Sequence, residues 1–196
     1  MSRQLTPLAV MLLALLAERE MHPYELYQLL ISRGEDRLVK VRPGSLYHTV
    51  ERLAEDELIK PVGVDRSGNR PERTRYALTE TGARRLQARV ADLLRAPVNE
   101  YPQFLVALDE AHNLPREEVI DHLREYAAAV EAELAEITAA LEGAGGDTVP
   151  EAYRISWDYL LHTKRAELDW IRRLAYAIET KDLEWPDFPI HDLRRP

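Results

Sequence analysis

The chain has no cysteine. Disulfide frameworks, thiolate nucleophiles and cysteine-ligated zinc are therefore excluded, and the absence is compatible with a reducing cytoplasm. No apolar run is long enough to cross a bilayer, which takes about 20 residues. The longest near the N-terminus, residues 8–17, reads as a buried first helix. Thr6 is placed to cap it and Pro7 to occupy its first turn. Only Arg3 precedes the run and no small-x-small cleavage site follows, so it makes a poor secretion signal. Enzyme chemistry is poorly provided for. The six histidines form no HExxH and no close pair with a carboxylate, and His112, His122 and His162 lack metal-ligand spacing. The one glycine-rich run, residues 143–146, lacks the Lys-Ser/Thr of a phosphate loop. No cofactor or metal is expected.

The 196 residues carry a net charge of −8, unevenly spread. Residues 1–85 hold 14 Lys/Arg against 12 Asp/Glu, whereas residues 86–196 hold 12 against 22. Such asymmetry points to two modules with different partners. The local basic surplus lies in residues 58–78, with Lys60, Arg66, Arg70, Arg73 and Arg75 against Asp65 and Glu72.

Periodicity divides the chain the same way. A first helix from Thr6 to about Glu18 places Leu8, Leu12 and Leu15 at helical spacing. A second restarts at His22-Pro23 and stops at Gly34. A third opens at Pro43-Gly44-Ser45, with Leu46, Val50 and Leu53 on one face. The period then shortens. Ile59 to Val64 and Arg73 to Leu78 read as strands around a polar turn, a hairpin. Thr79 or Thr81 caps a fourth helix to about Arg95. Three helices, a hairpin and a helix make a winged helix-turn-helix, assigned to residues 1–96. Residues 97–196 read as helical throughout. A long helix carries Leu123, Ala127, Val130, Leu134, Ile137 and Leu141 at the knobs-into-holes spacing. A last helix, about Pro150 to Ile178, carries Trp157, Leu161, Leu168, Ile171, Ala175 and Ile178 on one side. The expected class is mainly α, an N-terminal winged helix-turn-helix with a two-stranded wing and a C-terminal helical dimerisation domain.

In a helix-turn-helix the start of the recognition helix meets base edges. With Leu46, Val50 and Leu53 turned inward, Gly44, Ser45, His48, Thr49 and Arg52 are expected to face outward. Arg42 and Arg52 suit phosphate or guanine, and Ser45 and Thr49 suit bases or phosphate. The wing adds Arg66, Asn69, Arg70, Arg73 and Arg75, suited to the DNA backbone or minor groove. An ordinary solvated polar face is the alternative. In the acidic half, Leu123, Val130, Leu134, Ile137, Leu161, Leu168, Ile171 and Ile178 form a seam expected to pair with a second copy, an intramolecular helical hairpin being the alternative. Tyr153, Trp157 and Trp170 are candidates to line a small-molecule effector pocket, though aromatics at this spacing also serve as plain core.

His22-Pro23-Tyr24-Glu25-Leu26, Gly44-Ser45-Leu46-Tyr47, Leu53, Leu58-Ile59 and Arg75-Tyr76-Ala77-Leu78-Thr79-Glu80-Thr81-Gly82 together resemble the PadR family of transcriptional regulators, over about residues 8–85. The resemblance implies a cytoplasmic dimeric winged helix, usually a repressor, that binds an inverted-repeat operator in double-stranded DNA and is released by a small molecule. It also implies that Tyr47 sits at the DNA face and that the C-terminal helices dimerise. Two positions depart from the pattern. Pro23 stands where many members carry glycine, and Asp56-Glu57 stands where glycine usually closes the recognition helix. The alternative function is a winged helix used for protein–protein interaction, with no specific DNA binding.

Overall fold

Thr6 opens the first helix as a cap residue should: its hydroxyl accepts the Ala9 N–H at 3.3 Å, and Pro7 follows at the first turn. The computed structural model describes residues 4–65, 73–143 and 150–186, which fall into two compact units, Met1–Asn99 and Glu100–Pro196. Among the described residues no helix is long and apolar enough to cross a membrane.

In the first unit α1 (Pro7–Glu18) is buried on nearly every side, through Leu8, Ala9, Leu12, Leu13, Leu15 and Leu16. That is why its sequence is an unbroken apolar run: a helix apolar all round belongs in a core. Leu26 and Leu30 of α2 (Pro23–Ser32) and Leu46, Val50 and Leu53 of α3 (Pro43–Glu55) close on it. Leu12, Leu26, Leu30 and Leu46 are fully enclosed, each contributing about 1.5–3 kcal/mol by leaving water. The ends are set locally. The Tyr24 N–H donates to the His22 ring at 3.0 Å while the Glu25 carboxylate takes the His22 N–H at 2.9 Å, a reciprocal cap for α2. Gly34 then turns left-handed at φ 67° and closes the helix.

The wing strands β1 (Ile59–Asp65) and β2 (Arg73–Leu78) pair antiparallel, Ile59 opposite Leu78, with a bulge between Pro61 and Gly63. Pro61 has no N–H to give a ladder. Its partner Tyr76 turns its own N–H and C=O the other way, to Met21, at 2.9 and 3.0 Å. The hairpin is thus tied to the α1–α2 junction by one residue, a pairing too short to leave a periodic trace. Tyr76 and Leu78 pack on the core, the face that alternation predicts. The following helix α4 (Glu80–Arg95) is capped by Thr79, whose Oγ1 accepts the Gly82 N–H at 3.0 Å.

In the second unit α5 (Gln103–Asp109) precedes two long helices, α6 (Arg116–Gly143) and α7 (Ile155–Glu179). Arg124 meets Glu179 at 2.8 Å and Arg172 meets Glu131 at 2.7 Å, so α6 and α7 run antiparallel. The expectation that the apolar seam awaits a second copy is corrected here. Leu123, Val130, Ile137, Leu168, Ile171 and Ile178 are all buried within one chain, with Leu134 and Leu161 half-buried beside them. The seam of α6 meets that of α7, and burial requires only that two apolar stripes face each other. Phe104 of α5 stacks on Tyr126 at 4.0 Å between ring centroids. Beside it a half-buried polar cluster bridges the helices. The Tyr126 hydroxyl donates to Glu167 at 2.9 Å, and Lys164 lies 3.0 Å from Glu133 and 3.3 Å from Glu167. Burial and the Glu167 acceptor both push the Tyr126 hydroxyl above its ordinary pKa.

Candidate nucleic-acid interface

The candidate interface is centred on the start of helix α3. Arg42 holds the cap position in extended conformation with no side-chain cap hydrogen bond, and Pro43 follows. The first-turn amides are therefore left for solvent or an anion. A Cβ built on Gly44 meets nothing within 4 Å, so this turn is open to close approach. Arg42, Gly44, Ser45, Tyr47 and His48 are exposed and Arg52 is half-buried. Leu46, Val50 and Leu53 hold the other face in the core, so these outward groups ride on a rigid element.

Three features differ from the sequence expectation. Thr49 is not on the outward face. It is 8% exposed, and its hydroxyl donates to the Ser45 carbonyl at 2.7 Å. The spacing could have shown this, because residue 49 stands three after Leu46 and one before Val50, inside the apolar stripe. Glu51, which the reading passed over, shares the outer face and lies 3.7 Å from His48; its carboxylate works against phosphate there. Arg75 is held by the fold. Its guanidinium lies 3.1 Å from Glu20 and 3.3 Å from the position a Cβ on Gly63 would take. That ion pair joins the wing to the end of α1, and its partner lies 55 residues away in sequence, out of reach of any local pattern. Arg66, Asn69 and Arg70 lie outside the described residues. For Arg73 the backbone pairs with Asp65.

Glu57 occupies the place where the recognition helix closes. Its φ is 57°, a left-handed conformation that suits glycine. Its carbonyl accepts the Thr79 hydroxyl at 2.9 Å. The residue departs from the family pattern, while the backbone keeps the shape that glycine would give.

The sequence model described as the transcriptional regulator PadR-like family matches residues 12–88, the span just described. Over that span the chain is similar to the PadR-like family. That family is one of transcriptional regulators. The likeness to solved structures extends beyond that span into the helical second unit. PadR from Bacillus subtilis in complex with operator DNA superposes with a TM-score of 0.76 at 16% identity, covering 88% of this chain and 99% of that one. The same protein in complex with p-coumaric acid gives 0.71 at 16% identity, over 88% and 98%. The PadR-like transcriptional regulator BC1756 from Bacillus cereus gives 0.64 at 15% identity, over 91% and 99%. At these identities the likeness speaks for the fold. No curated protein sequence matches this chain.

The second unit holds a cleft of about 520 Å³ between the start of α6 and the segment after α7, lined by Leu114, Arg116, Lys181, Leu183 and Trp185 among others. The Trp185 indole N–H donates to the Leu114 carbonyl at 3.0 Å. The aromatics expected to line a pocket do not line this one. Tyr153 is 76% exposed, Trp170 is 45% exposed and Trp157 is half-buried. Trp157 and Trp170 lie at different angles around α7, and Tyr153 lies just before it.

Proposed function

We propose that this PadR-like regulator acts as a homodimeric repressor on an inverted-repeat operator in double-stranded DNA, and that a small molecule releases it. The open, uncapped N-terminus of α3, set on a rigid core inside a PadR-like winged helix, carries the reading. Arg42, Ser45, Tyr47, His48 and Arg52 are its reading and phosphate groups, with Gly44 admitting the backbone. Arg66, Asn69, Arg70 and Arg73 extend the contact from the wing. Arg75 serves instead to fasten the wing. The Bacillus subtilis structures with operator DNA and with p-coumaric acid support the DNA and effector parts. The cleft beside Trp185 lies within the usual range for a small-molecule site. A ligand there would shift DNA affinity only through different affinities for the bound and free forms.

The experiment is binding of purified protein to a labelled fragment of its own upstream DNA at two salt concentrations, with unrelated competitor present. Specific binding should weaken steeply with salt, log K falling about 0.9 per phosphate neutralised. A footprint should show half-sites about one helical turn, roughly 10 base pairs, apart. Absence of binding even at low salt would overturn the proposal in favour of a winged helix that docks on protein.

A further inference from the structure

The centre line of α3's outward face carries an acid. At 3.6 residues per turn, or roughly 100° per residue, the buried Leu46, Thr49, Val50 and Leu53 point to one side of the helix. Gly44, His48, Glu51 and Glu55 fall within roughly 30° of the line opposite. Tyr47 stands roughly 70° off that line on one flank, and Arg52 roughly 70° off it on the other. The Glu51 side chain is 70% exposed. Among the described residues its ion-pair partner is the His48 ring, 3.7 Å away, too far for a hydrogen bond. The carboxylate oxygens therefore keep lone pairs for a donor outside the chain.

A helix lying in the major groove has base edges beneath its centre line and phosphates along its flanks. The charge order on α3 fits that cross-section. Arg52 on a flank and Arg42 at the cap suit phosphate, which repels a carboxylate. On the centre line the carboxylate faces the groove floor instead, and it can only accept a hydrogen bond. Guanine N7 and O6 and thymine O4 are acceptors as well, so they oppose it. Cytosine and adenine each offer an amino group there. Adenine sets N7, an acceptor, beside its amino group, against the second carboxylate oxygen. Cytosine has no such neighbour on its own edge. Glu55 lies a turn further from the end of the helix that meets base edges.

We infer that Glu51 is a specificity-determining residue, whose carboxylate accepts the amino group of a cytosine in each half-site. This rests on the DNA-binding reading of α3 proposed above and assigns one base to it. It also gives a reason for an acid on a surface that otherwise needs cations. The charge weakens binding to every sequence, and the loss is offset only where a cytosine lies beneath it, which is discrimination by repulsion as well as by attraction.

The experiment binds full-length wild type and Glu51→Gln to a pool of duplexes of randomised sequence and sequences the DNA each retains. Glutamine is a good helix former and the site is exposed, so helix content and melting midpoint should match wild type. The wild-type protein should favour cytosine at one position of the half-site by about fivefold or more. Glutamine bonds adenine at both N6 and N7, so Glu51→Gln should change that position to adenine and leave the rest of the site as it was. Against the unselected pool Glu51→Gln should bind as tightly as wild type or tighter, with one charge fewer for phosphate to repel. If both proteins retain the same sequences, or Glu51→Gln tightens on all of them alike, the role of Glu51 is overturned while the DNA-binding reading stands. Weaker binding of Glu51→Gln to every duplex would overturn it too. A wild-type protein that retains no sequence preferentially would overturn the role of Glu51 together with that reading.

Discussion

Replacing Gly82 with alanine sets two effects of opposite sign against each other. Helix propensity favours the change by at most about 1 kcal/mol. Packing opposes it. A Cβ on Gly82 would stand 2.1 Å from the Leu58 carbonyl oxygen and 2.8 Å from Leu78 Cδ1. A tolerable carbon–oxygen contact needs about 1 Å more, so α4 has to draw back from the start of β1. The same Leu58 carbonyl accepts the Thr79 N–H at 3.1 Å and its hydroxyl at 3.0 Å. Moving the helix stretches both bonds, each worth about 0.5–1.5 kcal/mol net, on top of an overpacking cost of about 1–3 kcal/mol. The balance is a loss of about 2 kcal/mol. One kcal/mol shifts the midpoint by about 2–4 °C in a chain that melts as one body of this length, and by about 4–8 °C in a unit near 100 residues that melts by itself. The expected fall is therefore about 4–16 °C, read by thermal circular dichroism on the full chain. Ala88→Gly, on an exposed turn of the same helix, isolates the propensity effect as a control. A Gly82→Ala midpoint equal to or above wild type would refute the reasoning, because propensity would then have won.

Glu57→Gly should stabilise the chain by about 0.5–1 kcal/mol, since glycine relieves the left-handed strain at φ 57° at some entropic cost; a urea midpoint that falls would show the strain is not there. Gly44→Ala should leave stability equal or slightly raised, the site being open, while DNA affinity drops at least severalfold if the backbone approaches that turn. Unchanged affinity by anisotropy would remove Gly44 from the contact. The His22 N–H, with Arg19 nearby, holds the Glu25 carboxyl below its ordinary value of 4.5. A depressed carboxylate contributes stability above its unfolded value and loses it as pH falls through the folded one. Glu25→Gln should therefore melt below wild type at pH 7, with the gap narrowing as pH falls below the ordinary value of 4.5; a gap that persists undiminished in acid would assign the loss to something other than this charge.

The winged-helix order was legible because each of its signals is local. Proline and threonine at helix starts, glycine at a stop and the change from a 3.6 to a 2 period all act within a few residues. Of the outward face of α3, Gly44, Ser45 and His48 could be read off the same way, whereas Tyr47 came only with the family resemblance. Thr49 was misplaced although the apolar stripe contained it, because a hydroxyl suggested a ligand where the helix backbone supplied the partner. The choice of Thr79 over Thr81 as the α4 cap, and the one-residue pairing of Met21 with Tyr76, leave no mark on periodicity at all.

By itself the sequence determined the elements, their caps and the existence of apolar stripes, since periodicity and capping depend on neighbours a turn away. Tertiary structure decided which stripe met which. It put the α6 seam against α7 within one chain and left Ile155, Tyr159 and Trp170 exposed. It also tied Arg75 to Glu20 and brought Gly82 against the Leu58 carbonyl. Each of those depends on a distance between groups far apart in the chain, and such distances are set only when the whole core has closed.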